Sequence, residues 1–390
     1  TDDPEKLEIH LKNKTPAWAA EITGLLEEEI ISFARMYGRT QKSFIRCGYG
    51  FTRSRNGAAQ MHAVSCLPAV TGAWQYHGGG ALYSNSDIYN IDSTLIMGLD
   101  QLDKDIRVLD QSRIGEILNG NVDDLGDGPP VKALFIQNTN PMNVAPDLLK
   151  VRQGLQRNDL FICVHEQFLT ETAEMADIVL PATTFLEHDD MYTGGGHTYF
   201  QVAKQIVEPT GLCKSNHWVH CELAKRLGAE HPGFEMSAWE IMDSTLKMSG
   251  YPDAETIYNA HWFNRELSFE TSHFLNGFEH ADRKFHFNAK WSDLGSLHES
   301  MNSLPDHFDI IDKTSSEYPY RLVTAPSRNY LNSTFAETRS SIKKEGRPVA
   351  KIHPKVCKEI DLSDGDLIRI GSKLSSIVIH VNSFEGVQPK

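Results

Sequence analysis

The sequence predicts an α/β protein that has a parallel sheet in its first half and a smaller all-β segment at its end. Four short apolar runs, each followed by a polar loop, predict the sheet; they are residues 44–47, 131–137, 160–164 and 176–180. Continuous apolar runs of this length are typical of strands buried on both faces, as in parallel sheets. Helical apolar spacing between the later runs indicates the crossover helices that parallel strands require.

Helices are predicted before and between these runs. Residues 1–40 have helical character, with Thr15 as an N-cap and Pro16 in the first turn. Further helices are predicted at 58–71, 146–156, 170–175 and 217–227. Gly228 follows the last of them directly and is a favourable residue for ending a helix.

The remaining segments are less regular. Residues 86–130 are polar and irregular, and residues 230–317 are rich in His, Phe, Trp, Ser and Asp, which predicts a connector that packs through aromatic side chains. Strands separated by turn residues are predicted at 321–324, 350–353, 367–370 and 377–381. This pattern predicts a small β-barrel that is cut short at Lys390.

The composition limits the function classes. The chain has 390 residues and a formal charge of −14, which argues against a nucleic-acid partner because such a partner favours a basic face. No apolar run reaches the about 20 residues that span a bilayer. The six cysteines form no CxxC pair, so no zinc or iron–sulfur site is recognisable. A cytoplasmic setting is the default, and a periplasmic one stays open because the first residue is Thr1.

The loops after the four apolar runs point to one ligand. In open parallel sheets, ligands lie beyond the carboxyl ends of the strands, and these loops are rich in Gly, Asn and Thr. Gly48 and Gly50 allow backbone N–H groups to approach a phosphate closely, and Arg53 and Arg55 suit phosphate contacts. We therefore expect one long, phosphate-bearing ligand at a shared edge. An ordinary tight turn and solvated surface arginines are the alternatives.

Several motifs then occur in a fixed order along the chain. They are Gly48-Tyr49-Gly50 with Asn56-Gly57, 67–72 with Gly78-Gly79-Gly80, Asn140-Pro141, 170–173 with 176–181 and Glu187, 331–335, and 352–354 with 364–366. This ordered set resembles the molybdopterin oxidoreductase family, which includes dimethyl sulfoxide reductase, biotin sulfoxide reductase and formate dehydrogenase. The resemblance covers about residues 15–230 and 318–390.

The resemblance implies a fold, a domain division and a cofactor. It implies a Rossmann-like parallel sheet domain at 1–235, a connector at 236–317 and an incomplete dinucleotide-binding β-barrel at 318–390. The implied cofactor is molybdopterin guanine dinucleotide with molybdenum or tungsten, and the implied activity is oxygen-atom or electron transfer on a small-molecule substrate. The residues present here are expected to hold the cofactor, and no catalytic residue or protein metal ligand is assigned.

The resemblance also implies cofactor contacts at the matched motifs. The expected contacts are Gly48, Tyr49, Gly50, Asn140, Pro141, Glu166, Thr170, Glu187, Thr324, Asn332 and Ser333. Glu166 and Thr170 are expected at the guanine base, because a carboxylate can accept both N–H groups of the guanine Watson–Crick edge. Thr324, Asn332 and Ser333 are expected toward the pterin.

Simpler structural roles compete with several of these assignments. Thr170 is also a suitable N-cap, and Asn140 is also a suitable turn residue before a helix. The run from Glu187 to Asp190 contains acids that suit a hard metal ion; however, the resemblance assigns Glu187 to a loop against the cofactor, so no metal site is predicted there. Asn332 and Ser333 could equally belong to a polar barrel loop.

The sequence also departs from the family pattern. Members with an iron–sulfur cluster have a cysteine cluster near the N-terminus, and this chain has none, so such a cluster is not supported within it. The segment that supplies the metal ligand precedes the region matched here. We therefore expect the C-terminal part of a longer enzyme, partnered by its missing N-terminal half or by another subunit.

Two rival functions stay open at this stage. The chain could be a non-enzymatic fragment, or a structural subunit that keeps the fold without the cofactor. It could also be a nicotinamide dehydrogenase, although its GxG lacks the third glycine and the acidic residue of that fingerprint. A serine hydrolase is not supported, because the sequence contains no GxSxG motif.

Overall fold

The computed structural model describes residues 4–54, 56–294, 298–308 and 314–389. Arg55 and the side chain of Arg53, both predicted phosphate contacts, lie outside this description, as do residues 1–3 of the predicted helical segment. The chain divides into two compact units. The first comprises Thr1–Ile91, Met191–Gln201 and Thr256–Lys313, and the second comprises Asp92–Asp190, Val202–Glu255 and Thr314–Lys390.

The regular elements are numbered in chain order. The α-helices are α1 (Pro4–Leu11), α2 (Pro16–Thr23), α3 (Glu27–Arg39), α4 (Gly57–Thr71), α5 (Thr94–Met97), α6 (Ile114–Leu118), α7 (Val122–Leu125), α8 (Pro141–Val144), α9 (Leu148–Leu155), α10 (Asn216–Leu227), α11 (Ala238–Met248), α12 (Ala254–Ala260), α13 (Phe269–Ser272), α14 (Arg339–Glu345) and α15 (Pro354–Glu359). The 3₁₀ helices are Tyr49–Arg53, Ala73–Gln75, Ser86–Tyr89, Gln111–Arg113, Ala173–Met175, Pro232–Phe234 and Trp291–Leu294. The strands are β1 (Phe44–Arg46), β2 (Gly80–Leu82), β3 (Ala133–Gln137), β4 (Phe161–Glu166), β5 (Ile178–Pro181), β6 (Asp190–Tyr192), β7 (Tyr199–Ala203), β8 (Phe263–Asn264), β9 (Val349–Ile352), β10 (Leu367–Gly371) and β11 (Ser376–Ser383).

Three of the four apolar runs form one parallel sheet in the second unit, in the order β3-β4-β5. Ile136 pairs with Val164, and Val164 pairs with Val179, so the three strands end at one carboxyl edge. The core of this unit lies on the face that carries Ile136 and Val164. It contains Leu118, Ile136, Val151, Leu155, Leu160, Ile162, Val164 and Ala173. The prediction of a parallel sheet with crossover helices is confirmed for this part of the chain.

Close helix packing supports that core. An added Cβ at Gly154 of α9 would lie 2.4 Å from the Cβ of Leu118 in α6. Only a glycine fits between the two helices at this distance, because two carbon atoms that are not bonded to each other do not come so close. The small residue therefore lets α9 approach α6 closely enough for Val151 and Leu155 to fill the space beneath the sheet.

The first apolar run does not join that sheet, so its predicted place there is wrong. It forms β1, which pairs in parallel with β2. The start of β2 needs glycine, since an added Cβ at Gly80 would lie 2.4 Å from the ring of Trp74 and the residue has φ +108°. Gly80 therefore packs tightly against Trp74 where β2 begins to pair with β1.

The C-terminal residues form a three-stranded sheet in the order β10-β11-β9. Strands β10 and β11 are antiparallel, whereas β11 and β9 are parallel. Three of the four predicted strands are confirmed. The fourth, at 321–324, is wrong, because Leu322 and Val323 are 63% and 75% exposed and have no strand partner in the described part of the chain. The described residues form an open sheet and no closed barrel, so the barrel stays a prediction.

The helix termini mostly follow the expected chemistry. The Thr15 hydroxyl accepts a hydrogen bond from the Trp18 N–H at the start of α2, and Gly228 ends α10 in the left-handed conformation with φ +69°. Helix α11 was missed within the predicted connector, although Ser237 and Glu240 form a capping box at its start. Among the described residues, no helix combines the length and the apolar character that crossing a membrane requires.

The core of the second unit gives a first testable prediction. Leu155 is 4% exposed beneath the sheet, whereas Leu149 on the same helix is 59% exposed. We expect Leu155→Ala to lower the free energy of unfolding by about 2 to 5 kcal/mol, because the substitution leaves a cavity. Leu149→Ala, the matched control, should change it by less than about 0.5 kcal/mol. Urea denaturation measures both, and equal losses in the two variants would contradict this core.

Candidate functional site

The candidate site is the carboxyl edge of the β3-β4-β5 sheet. Pro181 ends β5, and the segment around Lys214 continues the sheet beside it through a parallel bridge between Ala182 and Lys214. The Lys214 N–H donates to the Pro181 carbonyl (3.0 Å), and the Thr183 N–H donates to the Lys214 carbonyl (3.2 Å). Four adjacent segments therefore end at this edge.

A buried histidine links these segments. His165 of β4 has no solvent exposure. Its Nε2 lies 3.1 Å from the Lys214 carbonyl oxygen, and its Nδ1 lies 2.8 Å from the side-chain nitrogen of Gln137. A carbonyl oxygen only accepts, so Nε2 carries the proton and Nδ1 accepts from the Gln137 amide. The ring thus joins β3 to the Lys214 segment, a role that the sequence alone does not indicate.

Asn140 lies in a second hydrogen-bonded link, between the loops that follow β3 and β4. The side chain is 4% exposed. Its Oδ1 accepts from the Thr172 hydroxyl (2.6 Å), and its Nδ2 donates to the Glu171 carboxylate (2.9 Å). The Thr172 hydroxyl in turn accepts from the Met142 N–H (3.0 Å). The Asn140 amide therefore fixes the two loops to each other, and its contact with a cofactor stays a prediction.

The polar groups around Asn140 have matching local roles. The amide of Asn140 lowers the pKa of the Glu171 carboxyl from its ordinary value. Pro141 is buried in the first turn of α8. Thr170 is 8% exposed, and its hydroxyl accepts from the Ala173 N–H at 3.3 Å. These contacts fit the N-cap alternative for Thr170, and they leave its predicted contact with guanine open.

Glu166 differs from these residues because one of its carboxylate oxygens is available. The residue ends β4 and is half-buried. Its Oε1 accepts from the Gln167 N–H at 2.7 Å, and the Gln167 side chain donates to the Thr183 carbonyl at 2.9 Å. Within the described ranges, Oε2 of Glu166 has no hydrogen-bond partner. A carboxylate is thus held at the edge with one oxygen free to accept from a ligand.

Glu187 forms a clamp between two loops. Its Oε2 accepts from the Thr184 N–H (2.7 Å) and hydroxyl (3.1 Å), and its Oε1 accepts from the Thr210 N–H (2.8 Å) and hydroxyl (2.9 Å). The N–H groups of Thr184 and Thr210 and the Thr210 hydroxyl lower the pKa of Glu187 to about 2. Both oxygens are engaged inside the protein, so the geometry gives Glu187 a positioning role, and its contact with a cofactor stays a prediction.

The loop of Gly48, Tyr49 and Gly50 belongs to the first compact unit. Arg46 precedes it, and its Nη1 donates to the carbonyls of Cys47 (2.6 Å) and Tyr83 (2.6 Å). An added Cβ at Gly48 or Gly50 would meet no atom within 4 Å, and neither glycine has a positive φ. The fold itself therefore does not require glycine here, whereas close approach of a ligand to the backbone would.

The predicted pterin contacts lie on the chain between β8 and β9. Asn332 and Ser333 occupy a turn closed by two hydrogen bonds between Leu331 and Thr334, at 3.0 and 2.9 Å. Asn332 has φ +55°, and in the described part of the chain neither its side chain nor that of Ser333 has a hydrogen-bond partner. Thr324 is exposed outside any helix or strand.

Glu345 of α14 holds the start of the same segment. Its carboxylate accepts from the backbone N–H of Asn329 and from the Asn329 side chain, the latter at 2.8 Å. This contact anchors the chain shortly before the turn of Asn332 and Ser333. The turn is thus fixed at its base and has polar side chains available at its tip.

Two family models match the chain. The model described as molybdopterin oxidoreductase matches residues 9–226, which is more than half of the chain. The chain belongs to the molybdopterin oxidoreductase family. A second model, the molybdopterin dinucleotide-binding domain, matches residues 320–390. The two matches confirm the resemblance found in the sequence, and they support molybdopterin guanine dinucleotide with molybdenum or tungsten as the cofactor of this oxidoreductase family member.

Several known proteins are similar to this member of the family. The "Probable oxidoreductase YoaE" of Bacillus subtilis is 35% identical over 94% of the chain and 53% of its own length. The F420-dependent formate dehydrogenase subunit alpha of Methanocaldococcus jannaschii is 24% identical over 100% of the chain and 58% of its own length. The trimethylamine-N-oxide reductase of Haemophilus influenzae is 27% identical over 94% of the chain and 50% of its own length. The chain thus spans a little over half the length of the first two and half of the third.

A solved structure supports the fold. Acetylene hydratase from Pelobacter acetylenicus superposes with a TM-score of 0.76 over 97% of the chain and 57% of its own length, at 20% identity. At this identity the likeness concerns the fold alone. Together with the parallel sheets described above, it establishes a mixed α/β architecture shared with that protein.

The Glu187 clamp gives a second prediction, on acid stability. Its pKa is depressed from 4.5 to about 2, so the stabilisation that it provides is present above pH 4.5 and is lost as the pH falls from 4.5 toward 2. We expect Glu187→Gln to lower the melting temperature by a few degrees at pH 7. In this variant the melting temperature should also fall less steeply than in the unchanged protein as the pH is lowered. Melting curves between pH 3 and pH 7 measure both effects.

The control for this variant is Glu208→Gln. Glu208 is an exposed acid near Thr210 that makes no clamp in the described structure. This control should keep the acid dependence of the unchanged protein. If the melting temperature falls with decreasing pH equally in Glu187→Gln and in the unchanged protein, the clamp does not contribute to stability.

Proposed function

We propose that this chain binds the guanosine part of molybdopterin guanine dinucleotide within an oxidoreductase that transfers oxygen atoms or electrons. The observation that carries the proposal is the available oxygen of Glu166 at the carboxyl edge of a parallel sheet. Ligands of open parallel sheets lie beyond this edge. Guanine presents two adjacent N–H donors on its Watson–Crick edge. Oε2 of Glu166 is available to one of them, and Oε1, which accepts one hydrogen bond from the Gln167 N–H, keeps an acceptor site for the other.

The residues present fit such a cofactor in three respects. Glu166 has the acceptor chemistry for guanine. The backbone at Gly48 and Gly50 is open to close approach, which suits a pyrophosphate. Asn332 and Ser333 have side chains without partners among the described residues, which suits the polar atoms of a pterin. The bound cofactor would supply the redox chemistry through its metal, and the protein would supply binding and orientation.

The other predicted contacts take supporting roles in this proposal. Asn140 and Thr170 hold the loops after β3 and β4, and Glu187 holds the loop after β5 against Thr210. Each of these groups is engaged with the protein itself, so its contribution is to position the loops that the cofactor would touch. Pro141 is buried at the start of α8, and the exposed Thr324 stays a proposed contact with the pterin.

We further propose a division into a dinucleotide-binding α/β domain at 1–235, a connector at 236–317 and a second cofactor-binding domain at 318–390. The last of these is an incomplete β-barrel in this proposal. The extents of the two family matches support the first and third segments. Relatives named as a formate dehydrogenase subunit and an N-oxide reductase suggest a small-molecule substrate. The polypeptide that accounts for the rest of the relatives' length is the partner we expect.

One observation favours the alternative of a chain that keeps the fold without the cofactor. The side chains of Asn140 and Glu187 make hydrogen bonds inside the protein, on both polar atoms of each side chain, without a ligand. The two functions differ in a simple property, because only the first requires the isolated chain to recognise guanine.

A third prediction tests this recognition. We expect the unchanged protein to bind GMP more tightly than AMP, which lacks the paired donors. Glu166→Ala should weaken GMP binding about 10- to 100-fold, or about 1.4 to 2.8 kcal/mol, because hydrogen bonds to the carboxylate are lost. Isothermal titration calorimetry measures these affinities.

The matched control is Glu174→Ala, since Glu174 is an exposed acid on the same β4-to-β5 connection. This variant should bind GMP as the unchanged protein does. Equal binding of GMP and AMP by the unchanged protein, or an unaltered GMP affinity in Glu166→Ala, would contradict the role of Glu166. If the unchanged protein binds neither nucleotide, the result would support the alternative function, a chain that keeps the fold without binding the cofactor.

A further inference from the structure

Lys214 occupies a rigid position at the carboxyl edge. Its N–H donates to the Pro181 carbonyl at 3.0 Å, and its carbonyl accepts from the Thr183 N–H at 3.2 Å. The same carbonyl accepts from the buried His165 ring at 3.1 Å. Three hydrogen bonds therefore fix the backbone from which this side chain leaves, while none of them involves the side chain itself.

The ammonium group of Lys214 has no acidic partner among the described residues. Its Nζ lies 5.2 Å from the centre of the Trp218 ring, and the lysine is exposed. Other lysines of the same unit do form ion pairs: Lys132 with Asp159, Lys150 with Glu116, Lys204 with Glu255 and Lys247 with Asp243. In a chain with a formal charge of −14, this lysine presents an unpaired cation, on a backbone held at the edge of a parallel sheet, to an anionic ligand.

The position of Lys214 relative to Glu166 suits a nucleotide. Glu166 pairs with Pro181 across the sheet, and Pro181 is hydrogen-bonded to Lys214. Two strand spacings separate the two backbones, a distance of about 10 Å. Glu166 pairs with Pro181 and shares its face of the sheet, whereas Lys214 pairs with Ala182, the next residue along the chain. Successive residues of a strand face opposite ways, so Glu166 and Lys214 lie on opposite faces of the sheet. Ligands of open parallel sheets lie in the crevice outside the carboxyl ends of the strands, where side chains from both faces are within reach.

We propose that Lys214 binds a phosphate group of the same nucleotide whose base is bound by Glu166. This inference rests on the proposed function. It adds a phosphate contact on the face of the sheet opposite to that of Glu166. A lysine ammonium is a compact point charge that suits phosphate oxygens. The Trp218 ring, 46% exposed, lies beside the ammonium and restricts its positions without neutralising it.

The test separates recognition of phosphate from recognition of the base. GMP, guanosine and inorganic phosphate are titrated separately by calorimetry into the unchanged protein and the variants Lys214→Ala, Lys214→Arg and Lys225→Ala. Lys225 is the matched control, an exposed lysine in the last turn of α10, the helix that begins shortly after Lys214. We expect Lys214→Ala to weaken GMP binding about tenfold and to leave guanosine binding unchanged.

Further readouts exclude a merely structural effect. Lys214→Arg should keep most of the GMP affinity, and Lys225→Ala should keep all of it. Raising the salt concentration should weaken GMP binding in the unchanged protein and less so in Lys214→Ala. Because the internal contacts of Lys214 are made by its backbone, the alanine variant should keep the melting temperature of the unchanged protein.

The possible failures are distinguishable. If the unchanged protein binds GMP in a Glu166-dependent manner and Lys214→Ala binds it equally well, the inference on Lys214 is wrong and the proposed function stands. If the unchanged protein binds neither GMP nor guanosine, the proposed function fails and the inference fails with it. Inorganic phosphate binding as tightly as GMP would indicate an isolated anion site and would overturn the link to the nucleotide.

Discussion

The arrangement of the candidate site depends on one buried, hydrogen-bonded histidine. His165 accepts from the Gln137 amide and donates to the Lys214 carbonyl, so it joins the end of β3 to the Lys214 segment on the far side of β5. A buried polar ring is stable only when its nitrogens are satisfied, and here both have partners. The same contact that satisfies the ring therefore fixes the Lys214 backbone at the edge where Glu166 ends β4.

Internal hydrogen bonds divide the polar residues of this edge into two groups. Both polar atoms of Asn140 and both carboxylate oxygens of Glu187 are hydrogen-bonded to neighbouring loops, and the low pKa of Glu187 expresses how strongly its charged form is favoured there. Glu166 and Lys214, in contrast, are held by backbone contacts or by a single hydrogen bond and keep polar atoms available. Side chains held by internal hydrogen bonds thus alternate along the edge with side chains whose polar atoms are available. Such an edge is largely ordered before a ligand binds, which reduces the entropy cost of binding.

Local patterns predicted much of the fold, and long-range packing accounts for what they missed. The continuous apolar runs predicted β3, β4 and β5 because a strand covered on both faces needs no polar alternation. The same pattern misplaced β1, because its partner β2 is a short strand that starts at Gly80, packed against Trp74, and the sequence near β1 does not show this pairing. His165 was missed for a similar reason, because a lone histidine in an apolar run does not reveal its partners on distant segments. The family resemblance assigned Glu166 to the guanine base, whereas only the three-dimensional structure shows that Lys214 has no ion-pair partner among the described residues.

The central claim is that the carboxyl edge of β3-β4-β5 binds one nucleotide-bearing ligand. Hydrogen–deuterium exchange of the unchanged protein, with and without saturating GMP, tests it most directly. The account predicts slower exchange in the loops at 166–172, 182–188 and 213–215, and little change in the exposed turns of the C-terminal sheet. Protection confined to segments away from this edge, or no protection at saturating GMP, would contradict the claim.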